Sequence, residues 1–447
     1  MLKRHSLAGA AVALALTCSA CSSSSSAQPV TAAGADETGP ITISLESYMP
    51  SLGAPGTTTL NGLISDFEKA NPNITVNLVT DSSSASSALA AGYQREAATG
   101  TLPDVGQVTF DALRFAIDGL GAQPLDSLYG ADAIAAEFGG DHPYSAPVTK
   151  LAVVGNHTYG VPWTLSTPVL FYNPTLFEKA GLDPAIPPAT WADVAKDAAA
   201  IKAATGSDGL ANGCVGQGGS GADWCLQAIL GSNGGSVVND DGSKTTFDSA
   251  ANISAVTQMQ QLVSEGSMVD LTLPQALQEF GSGKVAMILN SSALQTTLLS
   301  TIGANFTLKN GPLPGFVGKT VTPTNSGSTL MVFSKDTAKQ QAAWKLIQFL
   351  TSPAAETAIT TKIGYPPLRP DLVDDAAYLK PYATSQPLIA ANLKQLSNIT
   401  PWRSYPGNNF LQIETLFLDA VSKSVFQGED VASSLKGAQS QAAGLVQ

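Results

Sequence analysis

Side chains able to do chemistry are few in this 447-residue chain, which carries only three histidines. His142 and His157 stand in no HExxH pattern and beside no cysteine pair, so spacing supports neither a zinc site nor a histidine base. Gly218-Gly219-Ser220-Gly221-Ala222 approaches a nucleophile elbow, but it lacks the final glycine and no apolar strand leads into it. A formal GxGxxG in the same stretch, Gly216, Gly218 and Gly221 with Asp240 and Asp241 following, fails for the same reason: a dinucleotide fingerprint must follow a strand. The 35 acidic residues make paired carboxylates available anywhere, so their presence alone argues for no glycosidase. Binding asks for different groups, flat apolar faces joined to directional polar ones. Trp163 and Trp224 stand beside turn or small-residue sequence and off any helical stripe, as cleft tryptophans would. The expected chemistry is capture without catalysis, with no cofactor and no metal.

The chain's start gives the compartment. Lys3 and Arg4 precede an apolar run from Leu7 to Leu16 and small residues before Cys21, which reads as a secretory signal over residues 1–21. That run is too short to span a bilayer. Cys18-Ser19-Ala20-Cys21 resembles a lipobox, which implies lipidation of Cys21 and a lipoprotein held on the outer face of the cell membrane. Residues 22–38, opening with Ser22 to Ser26, read as a flexible polar tether. Loss of Lys3 and Arg4 takes the formal charge from −12 to −14. Without a basic cluster, nucleic acid is excluded as a partner. Cys214 and Cys225 are then the remaining cysteines; an oxidising exterior favours their pairing, and two free thiols are the alternative that spacing leaves open.

The elements that must position these groups follow from periodicity. Ile41 to Leu45 alternates as a strand; Leu60, Leu63, Ile64, Phe67 and Ala70 share a helical face that Asn71-Pro72 ends; Ile74, Val76 and Leu78 alternate again. A β-α-β order predicts a parallel sheet with right-handed crossovers and an α/β class. Thr190 caps a helix that buries Trp191, Val194 and Ala198. Ala343, Leu346, Ile347 and Leu350 line another, Ile413 to Val421 a third, and a last amphipathic stretch begins near Val431. Val285 to Leu289 and Ser328 to Phe333 read as late strands.

The stretch Gly160 to Trp191, GVPWTLSTPVLFYNPTLFEKAGLDPAIPPATW, combines an aromatic and small hydroxyls, an apolar strand, an Asn-initiated helix and a Gly turn. It resembles the signature of the extracytoplasmic solute-binding proteins that feed ABC importers. LNGLISDFEKANPNITVNLV, FGSGKVAMILNSS, AAWKLIQFLTSP and GYPPLRP follow in the family's order, so the resemblance covers roughly residues 40 to 425. It implies a two-lobed periplasmic-binding-protein-like fold with discontinuous domains and a ligand cleft between them. The lobes are expected at 39–148 with 286–335, and at 149–285 with 336–447, the two late strands returning the chain to the first. It also implies a monomer that closes over a carbohydrate-type solute and delivers it to a permease. A glycerol-3-phosphate or glycerophosphodiester binder is the alternative, and an extracytoplasmic glycosidase or esterase a distant one.

By the same resemblance Ser166, Ser291, Ser292 and Gly327 bring hydroxyls or bare backbone to the ligand, and Tyr365 reaches the cleft from a tight turn. Arg403 grips a phosphate or polarised hydroxyls. Where glycerol-phosphate binders carry a tyrosine and an acid, this chain has the Ser82 to Ser84 run and Phe110 with Asp111. Phe110 is then a stacking surface, and Tyr48, near the end of the first strand, a further wall.

Overall fold

The first predicted helix spans Ala54–Ala70, burying Leu60, Leu63, Ile64 and Phe67 before Asn71 ends it. The computed structural model describes residues 39–79, 86–216 and 223–446. The signal, the tether, the lipidation at Cys21, the Ser82 to Ser84 run and the glycine-rich loop around Ser220 lie outside these residues.

Twelve strands are present among the described residues: β1 (Ile41–Glu46), β2 (Ile74–Val79), β3 (Val105–Thr109), β4 (Val153–Val154), β5 (His157–Thr158), β6 (Gly160–Ser166), β7 (Pro168–Tyr172), β8 (Asp208–Asn212), β9 (Met268–Val269), β10 (Val285–Ser291), β11 (Lys309–Pro312) and β12 (Ser326–Val332). They form one five-stranded sheet in the order β2-β1-β3-β12-β6, a second in the order β11-β7-β10-β8-β9, and the hairpin β4-β5. In the first sheet β1 is parallel to β2 and β3, while β12 runs antiparallel to β3 and β6. In the second, β10 is parallel to β8 and antiparallel to β7. Strands β3, β6 and β7 are buried at every position, as expected where helices cover both sheet faces.

Local chemistry sets the helices as the sequence suggests. Thr190 and Asp193 form a reciprocal capping box at the start of Trp191–Thr205. Ser352 caps Pro353–Lys362, and the C-terminal helices run Phe410–Gln427 and Val431–Ala443. None of the described helices is long and apolar enough to cross a membrane.

Three placements differ from expectation. Strand β10, expected in the first lobe, lies in the middle of the second sheet, with Met287 opposite Tyr172 and Ile288 opposite Ala211. Conversely β6, expected in the second lobe, is the edge of the first sheet, Leu330 facing Val161. Helices Thr337–Leu350 and Pro353–Lys362 also join the first sheet's layer, packing on β1 and on Ala54–Ala70; Phe349 meets Phe67 edge-on at 5.7 Å and Trp344 stacks on Tyr129 at 4.7 Å. For the two strands the cause is that a strand buried on both faces carries no sign of which sheet it joins. Only long-range pairing decides it.

Candidate functional site

Because β1 and β3 run parallel and β12 antiparallel, the carboxyl ends of the first two meet the start of the third at one end of the sheet. That end is where α/β sheets take ligands. Residues there open on a cavity of about 120 Å³. Tyr48, Ser51 and Leu52 come from the turn after β1, Thr109 from the end of β3, and Ser326 and Gly327 from the start of β12. Tyr365 follows Gly364, whose φ of 104° makes the tight turn. Trp224 at the start of helix Asp223–Ser232 and Trp402 complete the wall. No lysine, arginine or histidine lines it among the described residues.

The second tryptophan is anchored from behind. Its indole N–H donates to Asp223 Oδ2 at 2.6 Å, the Gln227 amide donates to the same oxygen at 2.8 Å, and the Tyr405 hydroxyl donates to Oδ1 at 2.6 Å. The Thr324 hydroxyl donates to the Trp224 carbonyl. Burial pushes Asp223 up to about 6, against those three donors. Burial also pushes Asp111 up to about 6; the Thr109 hydroxyl lowers it and the charge of Asp223 raises it. Glu414 is raised well above the carboxylate range by burial, then by Asp223 and Asp111. Burial, with Tyr48 beside it, lifts the Tyr365 phenol well above its usual value.

Of the residues singled out from sequence, Tyr48, Trp224, Gly327 and Tyr365 come together at this cavity. The others are placed elsewhere. Trp163 is corrected to a core position, 1% exposed with its indole N–H donating to the Leu350 carbonyl at 3.0 Å. Phe110 is wholly buried and offers its carbonyl to the Ser404 hydroxyl at 2.6 Å, so it presents no stacking face. Asp111 is buried behind Thr109. Ser166 shares hydrogen bonds with Ser291 at 2.7 Å and Ser326 at 2.5 Å, tying β6 to both β10 and β12. Ser292 is buried and accepts from the Thr167 backbone N–H. Arg403 directs its guanidinium to the carbonyls of Asn239 at 2.8 Å and Asp240 at 3.0 Å.

Trp402, Thr109, Ser51, Leu52 and Ser326 were missed. Trp402, between Pro401 and Arg403, carried the same signal as the two tryptophans read from sequence, an aromatic beside turn sequence and off any helical stripe. His142 lies between Asp371 and Asp375, and His157 beside Asp126, far from one another in role and partners. Among the described residues no cluster suits a metal ion. Cys214 and Cys225 form a disulfide with Cα atoms 4.9 Å apart, next to Trp224.

Comparison with known proteins places this architecture. The chain is 31% identical over 224 residues to the sn-glycerol-3-phosphate-binding periplasmic protein UgpB of Yersinia enterocolitica, covering 47% of this chain and 49% of that protein. It is 28% identical over 221 residues to the protein of the same name from Escherichia coli, covering 47% and 49%. The chain thus spans about half the length of these relatives. Among solved structures, the cyclic alpha-maltosyl-1,6-maltose binding protein from Arthrobacter globiformis superposes with a TM-score of 0.75 at 18% identity, over 91% of this chain and 99% of that one. UgpB from Mycobacterium tuberculosis, solved in complex with glycerophosphocholine, gives 0.74 at 20% identity, over 91% and 98%. These likenesses establish a two-lobed, maltose-binding-protein-like fold. The profile of the family described as bacterial extracellular solute-binding protein matches residues 53–357, more than half of the sequence, and the chain belongs to that family.

Proposed function

We propose that this protein is an extracytoplasmic receptor, lipid-anchored through Cys21, that closes its lobes as a monomer over a carbohydrate-type solute and presents it to an ABC permease. One observation carries the solute class: a cavity whose wall joins aromatic faces (Trp224, Trp402, Tyr48, Tyr365) to the hydroxyls of Ser51, Thr109 and Ser326, with no basic side chain among the described residues. Sugar C–H faces stack on aromatic rings and sugar hydroxyls pair with short polar groups. A phosphorylated polyol, the substrate class in the relatives' names, would want a guanidinium, and that of Arg403 is occupied by two carbonyls.

Closure follows from differential affinity: a solute touching Trp224 on one side and Gly327 on the other binds best when both approach it. Titration of the mature chain with neutral mono- and disaccharides, sugar phosphates and glycerol phosphates tests the reading. Sugar binding is expected to weaken by about 10- to 100-fold in Trp224→Ala and to change less than about threefold in Arg403→Met. Binding of phosphates alone, lost in Arg403→Met and kept in Trp224→Ala, would overturn the carbohydrate reading.

A further inference from the structure

Behind the aromatic wall stand three carboxylates, Asp111, Asp223 and Glu414, exposed by only 2%, 0% and 1%. They reach it from three directions: Asp223 precedes Trp224 at a helix start, Asp111 follows Thr109 and Phe110 at the end of β3, and Glu414 lies on helix Phe410–Gln427. Among the described residues the side chains that donate to Asp223 are neutral: an indole, a phenol and an amide. Asp111 Oδ1 and both oxygens of Glu414 are buried without a hydrogen-bond partner among the described residues. None of the three is in an ion pair among the described residues. Arg403, which follows Trp402, donates its backbone N–H to Gln227 and turns its guanidinium to the carbonyls of Asn239 and Asp240. Tyr405 is the other titratable group against the cluster, and Tyr48 and Tyr365 face it across the cavity.

Buried acids are ordinarily paired, because an unpaired one must either stay protonated or carry a large desolvation cost. Aromatic faces attract cations through their quadrupole, most strongly where water is excluded. Cavity and cluster share walls: Trp402 faces the cavity with its ring and Asp223 with its N–H, and Thr109 lines the cavity one residue before Phe110-Asp111. We propose that the solute carries a positive charge, an ammonium or quaternary ammonium group seated among Trp224, Trp402, Tyr48 and Tyr365, for which Asp111, Asp223 and Glu414 are the buried counter-charge. The inference rests on the reading of this cavity as the solute site, and sharpens it from a carbohydrate-type solute to a cationic one, such as an amino sugar.

A bound cation favours ionised carboxylates, so binding expels protons. Since Asp111 and Asp223 titrate at about 6, affinity for the cation rises as pH increases through that value. A neutral solute has no such linkage. Calorimetric titration of the full mature chain with two matched pairs tests this: glucosamine against N-acetylglucosamine, and choline against its uncharged isostere 3,3-dimethylbutan-1-ol. The charged member of at least one pair is expected to bind at least about tenfold tighter at neutral pH. Near pH 6 it should release protons, read as a heat that varies with the buffer's ionisation enthalpy. Asp111→Asn, which removes one of the three counter-charges, should shrink the charged-over-neutral ratio. Equal or weaker binding of the charged members, or binding without proton release from the wild type, overturns the proposal. If neutral sugars bind and charged ones do not, the receptor reading survives alone; if nothing binds to folded protein, both fall.

Discussion

Gly327→Ala tests the close approach of β6 and β12 directly. The glycine has φ of 93°, and a Cβ built on it would stand 2.3 Å from the Thr164 carbonyl oxygen and 3.1 Å from Leu165 Cα. A left-handed backbone costs an L-residue roughly 1–2 kcal/mol. The contacts are backbone atoms of β6, which no rotamer change can move aside, so β6 and β12 must separate locally; overpacking of this kind adds about 1–3 kcal/mol. The expected loss is about 2–5 kcal/mol. At roughly 2 °C or less per kcal/mol for a chain of this size, the thermal midpoint should fall by about 3–8 °C. Gly437→Ala is the control. It sits in helix Val431–Ala443 with open space where the Cβ would go, so it should stabilise by about 0.5–1 kcal/mol. Thermal and urea denaturation of both variants decide the matter. A Gly327→Ala midpoint within about 1 °C of wild type would refute the claim that β6 and β12 approach this closely at Gly327.

Two further outcomes are expected. Burial raises Asp111 and Asp223 to about 6 and Glu356 to about 7, from ordinary values of 3.8 and 4.5. The folded state therefore binds more protons than the unfolded one between about pH 4 and 7, and their contribution to stability, full at the acid end, is lost as pH rises through that window. Urea midpoints should be higher at pH 5 than at 7.5 and the difference smaller in Asp111→Asn; a higher midpoint at 7.5 would contradict the burial argument. The Cys214–Cys225 bond closes a separation of 11 residues, worth about 3 kcal/mol by loop entropy. Replacing both cysteines by serine should lower the unfolding free energy by that order, and an unchanged midpoint would show that the bond constrains little.

Much of the architecture was legible because it is written in local patterns. The capping box at Thr190 and the apolar faces of the helices depend on neighbours within a few residues, and the structure has them where periodicity put them. Sheet membership was not, since β6 and β10 are largely buried strands whose partners β12, β7 and β8 lie far away in the sequence. The aromatic wall was half legible for a similar reason. Trp224 and Trp163 looked alike in sequence, and only the Leu350 carbonyl, 187 residues farther along the chain, claims Trp163 for the core.

The residues that separate these cases also connect the cavity to the crossing. Ser326 and Gly327 line the cavity, and Ser326 shares a hydrogen bond with Ser166, which in turn bonds Ser291 of the second sheet. Opposite Gly327, Thr164 holds a φ of 56°, and its hydroxyl meets the Gln107 amide at 2.9 Å and the Ser328 hydroxyl at 3.0 Å. Left-handed threonine is costly and persists only where its surroundings over-determine it. Thr164 lies three residues before the chain leaves the first sheet for the second. In the proposed closure, a solute that presses on Ser326 and Gly327 of β12 acts on the crossing strand β6 through direct contacts, the Ser326–Ser166 hydrogen bond and the close approach of Gly327 to Thr164. In the closure proposed here, the differential contact that selects the closed state and the backbone that must bend to reach it are one structure, and relaxing Thr164 should change solute affinity without touching a solute contact.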